Sequence, residues 1–186
     1  MTLSQRRTDC AVKKTRRRPY WLNGRLVRDR QTLATMDFGP IQCIDTTTRY
    51  VELRYSGDVD IVVVYTTRAA PGLIAESVPL DYDEADLFMD VDDQNRVVAI
   101  EFLDASQIFA CHFFDDVLTL DDKEPLCMGC SYGASSDELL LSFVETRRLG
   151  QKEHRLETDV IALVDARNRI TGIRFTRASE VICRVD

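Results

Sequence analysis

Apolar residues in this chain recur at every second position far more clearly than at helical spacing. Ile100 and Phe102 alternate with Ala99, Glu101 and Leu103, and Ile173 and Phe175 alternate with Gly172, Arg174 and Thr176. Each is a period of two with one apolar face, the pattern of a half-buried strand. Leu139, Leu141 and Phe143 follow it too, whereas Ile61–Val64 is apolar on both faces and reads as a more central strand. No twelve-residue window carries a convincing 3.6-residue stripe, so strands with few short helices are predicted.

One stretch of this pattern is written twice. Asp92-Asp-Gln-Asn-Arg-Val-Val-Ala-Ile-Glu-Phe-Leu-Asp-Ala-Ser-Gln-Ile108 returns, without a gap, as Asp165-Ala-Arg-Asn-Arg-Ile-Thr-Gly-Ile-Arg-Phe-Thr-Arg-Ala-Ser-Glu-Val181, with seven of seventeen positions identical. Asp86-Leu-Phe aligns with Asp159-Val-Ile at the same spacing. Upstream the spacing is wider: Asp60–Tyr65 aligns with Glu138–Phe143, with Tyr55 and Tyr132 a little before each. Self-similarity of this kind marks an internal duplication, here of units of about 55 residues. Alone, such a unit buries only a modest share of its surface.

The shared residues divide into turn and core positions. Asn95 and Asn168 stand in reversals opened by Asp92 and Asp165, where an Asx side chain caps its own turn and Asn accepts a left-handed backbone. Phe102 and Phe175 are core positions, and Ser106 and Ser179 are expected to bind local backbone. Neither serine has a Gly-x-Ser-x-Gly setting or a placed His, so no nucleophile elbow is indicated.

Three patterns together, Leu53-Arg-Tyr-Ser-Gly-Asp-Val-Asp-Ile-Val-Val-Val64, Phe88–Ser106 and Val164–Ser179, resemble the small domain-of-unknown-function family numbered 2283. The likeness covers roughly 53–109 well and 132–183 loosely, with Asn95 and Asn168 where that family usually has Gly and Arg177 where the first copy keeps Asp104. The resemblance implies a fold and supplies no catalytic residues. The expected fold class is mainly β: two tandem, similar antiparallel units packed with pseudo-twofold symmetry. The expected organisation is an arm over 1–31, a first β repeat with an N-terminal extension over 32–110, a cysteine-bearing linker over 111–129 and a second repeat over 130–186. The faces of Ile100/Phe102 and Ile173/Phe175 are the expected contact, with Glu101 and Arg174 complementing each other across the pseudo-dyad.

Charge is divided along the chain. Residues 1–31 hold ten Lys/Arg against two acidic groups, while the remaining 155 hold 14 against 29. The acidic body disfavours nonspecific nucleic-acid binding and the arm favours it. Lys13, Lys14, Arg16, Arg17, Arg18, Tyr20 and Trp21 read as an import signal, as a nucleic-acid contact in which the aromatic rings stack on bases, as organellar targeting, or as a tail lying on the acidic body. No apolar run of eighteen residues or signal-peptide pattern is present, so a transmembrane segment is not expected and the expected location is intracellular, cytoplasmic or nuclear.

Two segments offer chemistry. Asp81, Asp83, Glu84, Asp86, Asp90, Asp92 and Asp93 form an acidic surface, with Leu87, Met89 and Val91 on one strand face and Asp90 and Asp92 turned outward. Oxygen ligands of this density suit divalent cations, but the EF-hand Gly and terminal Glu are missing, and a charged strand face that limits edge pairing is the favoured reading. Cys127-Met-Gly-Cys130 has the spacing of half a zinc site, which Cys111 and His112 would complete, or of a redox dithiol, and buried or incidental cysteines are the favoured reading. No cofactor is predicted otherwise.

The favoured function is a noncatalytic structural or protein-binding module whose partner is another protein. Two readings compete with it: a metal-binding protein or hydrolase-like enzyme using the Cys/His linker or the acidic segment, and a nucleic-acid accessory protein acting through residues 13–21.

Overall fold

The computed structural model describes residues 20–22, 25–27, 35–38, 50–68, 70–82, 85–113, 123–145, 147 and 152–183. Lys13, Lys14 and Arg16–Arg18 of the basic arm, and Asp83 and Glu84 of the acidic segment, lie outside them. Within the arm, β1 (Tyr20–Leu22) pairs antiparallel with β2 (Arg25–Val27).

Two antiparallel sheets carry the fold. The first orders β3 (Thr35–Phe38), β4 (Glu52–Ser56), β5 (Ile61–Tyr65), β8 (Val97–Phe102), β7 (Leu87–Val91) and β6 (Glu76–Leu80) in space as β3-β4-β5-β8-β7-β6. A short α1 (Ala105–Ile108), β9 (Cys111–His112) and β10 (Glu124–Pro125) follow. The second sheet orders β11 (Gly129–Gly133), β12 (Glu138–Ser142), β13 (Lys152–Glu157), β14 (Val160–Val164) and β15 (Ile170–Phe175) as β11-β12-β15-β14-β13, with α2 (Ala178–Val181) behind it. From β4 onward both sheets have the same order, which is the tandem pseudo-symmetric β architecture expected from the repeat.

The duplication extends to irregularities. Val98 is skipped in the register of β8 against β7, and its counterpart Thr171 is skipped in β15 against β14. Among the described residues six non-glycine positions have positive φ, and they form three equivalent pairs: Asp60 (53°) with Asp137 (52°), Asn95 (60°) with Asn168 (61°), and Asp104 (51°) with Arg177 (47°). A left-handed backbone is costly for residues with a side chain, so its recurrence at matched sites shows that each unit needs these reversals.

Structure corrects one register. Val62 pairs with Phe102 and Leu139 with Phe175, so Val62 is equivalent to Leu139 and Asp60 to Asp137, one position away from the alignment of Asp60 with Glu138. The slip matters because strand side chains alternate, and the wider spacing would match inward positions of one copy to outward positions of the other. The run of similar apolar residues on both faces of β5 hid the error.

The copies exchange segments. After α1 the chain crosses to the second sheet, where Phe109 bridges Ile170 and the Ala110 amide donates to the Ile170 carbonyl at 2.9 Å. After α2 it crosses back, where Ile182 bridges Val97 and the Cys183 amide donates to the Val97 carbonyl at 2.9 Å. The two crossings use equivalent positions of the repeat, Phe109 with Ile182 and Ile170 with Val97, and are reciprocal. Between them lies one core: Ile100, Phe102, Ile173 and Phe175 are fully buried, as expected. Phe109 stands at the joint, its ring edge-on to Phe102 and Phe143 at 5.0 Å and to Phe113 at 5.2 Å. Two marginal units thus share apolar surface that neither would bury alone.

Candidate functional site

Polar residues that both copies keep form two bonding networks, repeated in each copy. In the first, Asp60 closes the β4–β5 turn: its carboxylate accepts the Tyr55 hydroxyl at 3.0 Å, the Ser106 amide at 2.9 Å and the Ser106 hydroxyl at 2.6 Å. Asp137 takes the Tyr132 hydroxyl at 2.7 Å, the Ser179 amide at 3.0 Å and the Ser179 hydroxyl at 2.6 Å. Ser106 and Ser179 therefore do not bind local backbone as expected. They tie each short helix to a turn more than forty positions earlier, and their hydroxyls already donate to a carboxylate that has no histidine relay. Burial, and then the bond to Asp60, raises the Tyr55 pKa, so this phenol stays protonated as a donor.

In the second network Asp92 caps its reversal by accepting the Gln94 amide at 3.0 Å, the Arg96 amide at 2.8 Å and the Arg96 guanidinium at 2.8 Å. Asp165 repeats this with Arg167 at 2.8 Å and Arg169 at 2.9 and 2.8 Å. Burial alone would raise the Asp92 pKa, but the Arg96 hydrogen bonds outweigh it and hold the carboxyl at about 2. These turns behave as expected, with Asn95 and Asn168 supplying the left-handed residue.

The acidic segment is arranged differently from its sequence reading. Asp90 and Asp92, expected to point into solvent, are each only 3% exposed. Asp92 is turned into its own reversal, and Asp90 accepts the Ser77 hydroxyl from β6, which covers β7. Strand β7 is therefore internal in its sheet, and a solvated edge face is not what these carboxylates form. Asp81, Asp86 and Asp93 are exposed. Tyr82 beside them is buried and reaches the second copy, donating to the Asn168 carbonyl at 2.6 Å and meeting the His154 ring edge-on at 5.1 Å.

Of the linker residues, Cys111 and Cys130 are buried, His112 is half-buried and Cys127 is exposed. Among the described residues no group of three or more His, Cys, Asp or Glu is placed to hold a metal ion. The Cys111 thiol, pushed up to about 12 chiefly by burial, is a poor thiolate donor.

Where the copies differ is the outward face of each sheet. On the first, Arg54 bonds Glu52 at 2.7 Å and lies over the Tyr65 ring at 5.0 Å, with Glu101 and Asp90 on neighbouring strands. Burial, with Asp90 nearby, raises the pKa of Glu101, and burial raises that of Tyr65. Half-buried Ile61, Val63 and Phe88 share this face, and Val59 in the adjoining turn is 61% exposed. On the second sheet the equivalent positions of Glu52, Arg54, Tyr65, Asp90 and Glu101 are Gly129, Ser131, Ser142, Leu163 and Arg174. Beside Ser131, the shorter counterpart of Arg54, lies an open pocket of about 300 Å³ bounded by Ser131, Ser136, Glu138, Leu140, Leu163 and Arg174. Arg174 binds Glu153 at 2.7 Å and stands 3.9 Å from Glu138, both in its own sheet, in place of the expected complement to Glu101. Sequence reading missed these faces, although the signal was present in the alternate positions that the repeat does not preserve.

The model of the family described as protein of unknown function (DUF2283) matches residues 52–106, which is most of the first unit and less than a third of the chain. No curated protein and no solved structure matches. The second unit is related to the first by its fold and bonding.

Proposed function

We propose that the chain is a noncatalytic protein-binding module that docks a partner on the outward face of its first sheet. The carrying observation is the contrast between copies: identical residues are used up in turns and core, and the outward positions diverge. That face combines the exposed Val59 with half-buried Ile61, Val63 and Phe88, and sets Glu101 between Val63 and Phe88 with Arg54 on the other side of Val63. Apolar side chains interleaved with a guanidinium and a carboxylate offer a partner both burial and charged contacts. A partner with apolar side chains and a basic group to meet Glu101 fits it.

The test compares the full chain with V59D/V63E, two outward substitutions that leave the core untouched. The expected result is that the unaltered chain recovers a stoichiometric protein from extract and the variant, still folded by circular dichroism, does not. A chain that elutes alone at every salt concentration, or a variant that retains the partner, overturns the reading.

A further inference from the structure

The cavity on the second sheet has a physical origin. In the first copy the Arg54 side chain lies across Tyr65, over the middle of the sheet. Serines occupy both equivalent positions in the second copy. Ser142 packs against Gly129, where a Cβ would come within 2.6 Å of its hydroxyl, so that side is closed, while Ser131, the counterpart of Arg54, lines an open pocket of about 300 Å³. That is the lower end of ligand-site volumes, which suits a small metabolite.

Its walls select further. The Glu138 carboxylate and the Arg174 guanidinium face the same space from adjacent strands, 3.9 Å apart. A simple anion entering here meets Glu138, and Glu153 behind Arg174; a simple cation meets Arg174. Like-charge contact at this range is unfavourable, whereas a molecule bearing both charges a few ångströms apart satisfies both walls. Leu140 and Leu163 supply apolar surface beside the charges and Ser131 supplies a hydroxyl, while the Ser136 hydroxyl donates to the Gly133 carbonyl at 3.3 Å. We propose that this cavity binds a free amino acid with a short aliphatic side chain, its ammonium at Glu138, its carboxylate at Arg174 and its side chain against Leu140 and Leu163. This site is independent of the docking face on the first sheet.

The experiment titrates the full chain with alanine, valine and leucine, and with the N-acetyl and amide derivatives of the best binder, following backbone amide shifts by NMR. The expected result is saturable shifts at Ser131, Glu138, Leu140 and Arg174, with each singly charged derivative about tenfold weaker or more, the loss of one charged contact. Ser131→Arg restores the first copy's residue and refills the space; it should keep the fold and remove binding. Glu138→Gln, which preserves shape, should weaken the amino acid and spare its N-acetyl derivative. Absence of saturable binding, equal binding of the singly charged derivatives, or full binding by S131R with its fold intact overturns the proposal.

Discussion

Tyr132 donates its phenolic hydrogen to Asp137 at 2.7 Å, and the carboxylate that receives it also receives the amide and hydroxyl of Ser179, far along the chain at the start of α2. One side chain thereby joins a strand, a left-handed turn and a helix start, as Asp60 does in the first copy. Asp137→Ala is expected to destabilise by about 3 kcal/mol, because it orphans several donors and places Ala in a left-handed turn, while Tyr132→Phe removes one bond and costs about 1 kcal/mol. Urea unfolding of the two variants measures both; equal, negligible effects would mean the clamp carries no stability.

Asp92 gives the fold a pH dependence with a definite sign. Its pKa falls from the ordinary carboxyl value to about 2 on folding, so the ionised turn contributes its full stability above the unfolded value and loses it as pH drops toward about 2. Asp165, also lowered by its arginine against the opposing effect of burial, acts in the same direction. Denaturant midpoints should therefore decline between roughly pH 4 and pH 2. Asp92→Asn should lower the midpoint at neutral pH and flatten that decline, and a carboxyl resonance of Asp92 titrating near pH 4 in the folded chain would contradict the assignment.

Phe109 is fully buried and touches rings from both copies. Its truncation to Ala should cost about 3–5 kcal/mol through the cavity left at the joint. Unfolding followed by probes in each sheet should stay coincident, because the reciprocal crossings make one cooperative core. Two separated transitions in the unaltered chain would show that the units fold as independent bodies.

Thiol reactivity should separate the linker cysteines. Cys127 is exposed, whereas Cys111 is buried with its pKa pushed to about 12, so at pH 8 an alkylating reagent should label Cys127 and leave Cys111 unmodified until the chain unfolds. Peptide mass spectrometry reads the two sites directly.

Period-two alternation and a gapless repeat were sufficient to identify the strands β8 and β15, the Asp–Asn reversals and the buried faces of Ile100, Phe102, Ile173 and Phe175. Those features are local, or rest on side-chain alternation that any half-buried strand imposes. The register of β5 against β12 was not legible, because a run apolar on both faces looks alike after a one-residue slip. Asp90 and Asp92 were misread because acidity within a strand indicates solvent only until a neighbouring hydroxyl, an arginine and backbone amides supply the missing partners.

The candidate sites lay further from view. Arg54 over Tyr65, and the pocket beside Ser131, depend on strands that pair across the sheet. The sequence by itself determined that the chain is mainly β with an internal repeat, where its Asp–Asn turns lie and which strand faces carry the buried Ile100, Phe102, Ile173 and Phe175, since period and turn chemistry are written locally. Only the tertiary structure decided that the copies exchange their post-helical segments, that Ser106 and Ser179 clamp distant aspartates, and that the outward faces carry one filled surface and one open pocket. Such relations join parts of the chain that lie far apart in sequence, and long-range contact of that kind leaves no period for a linear reading to detect.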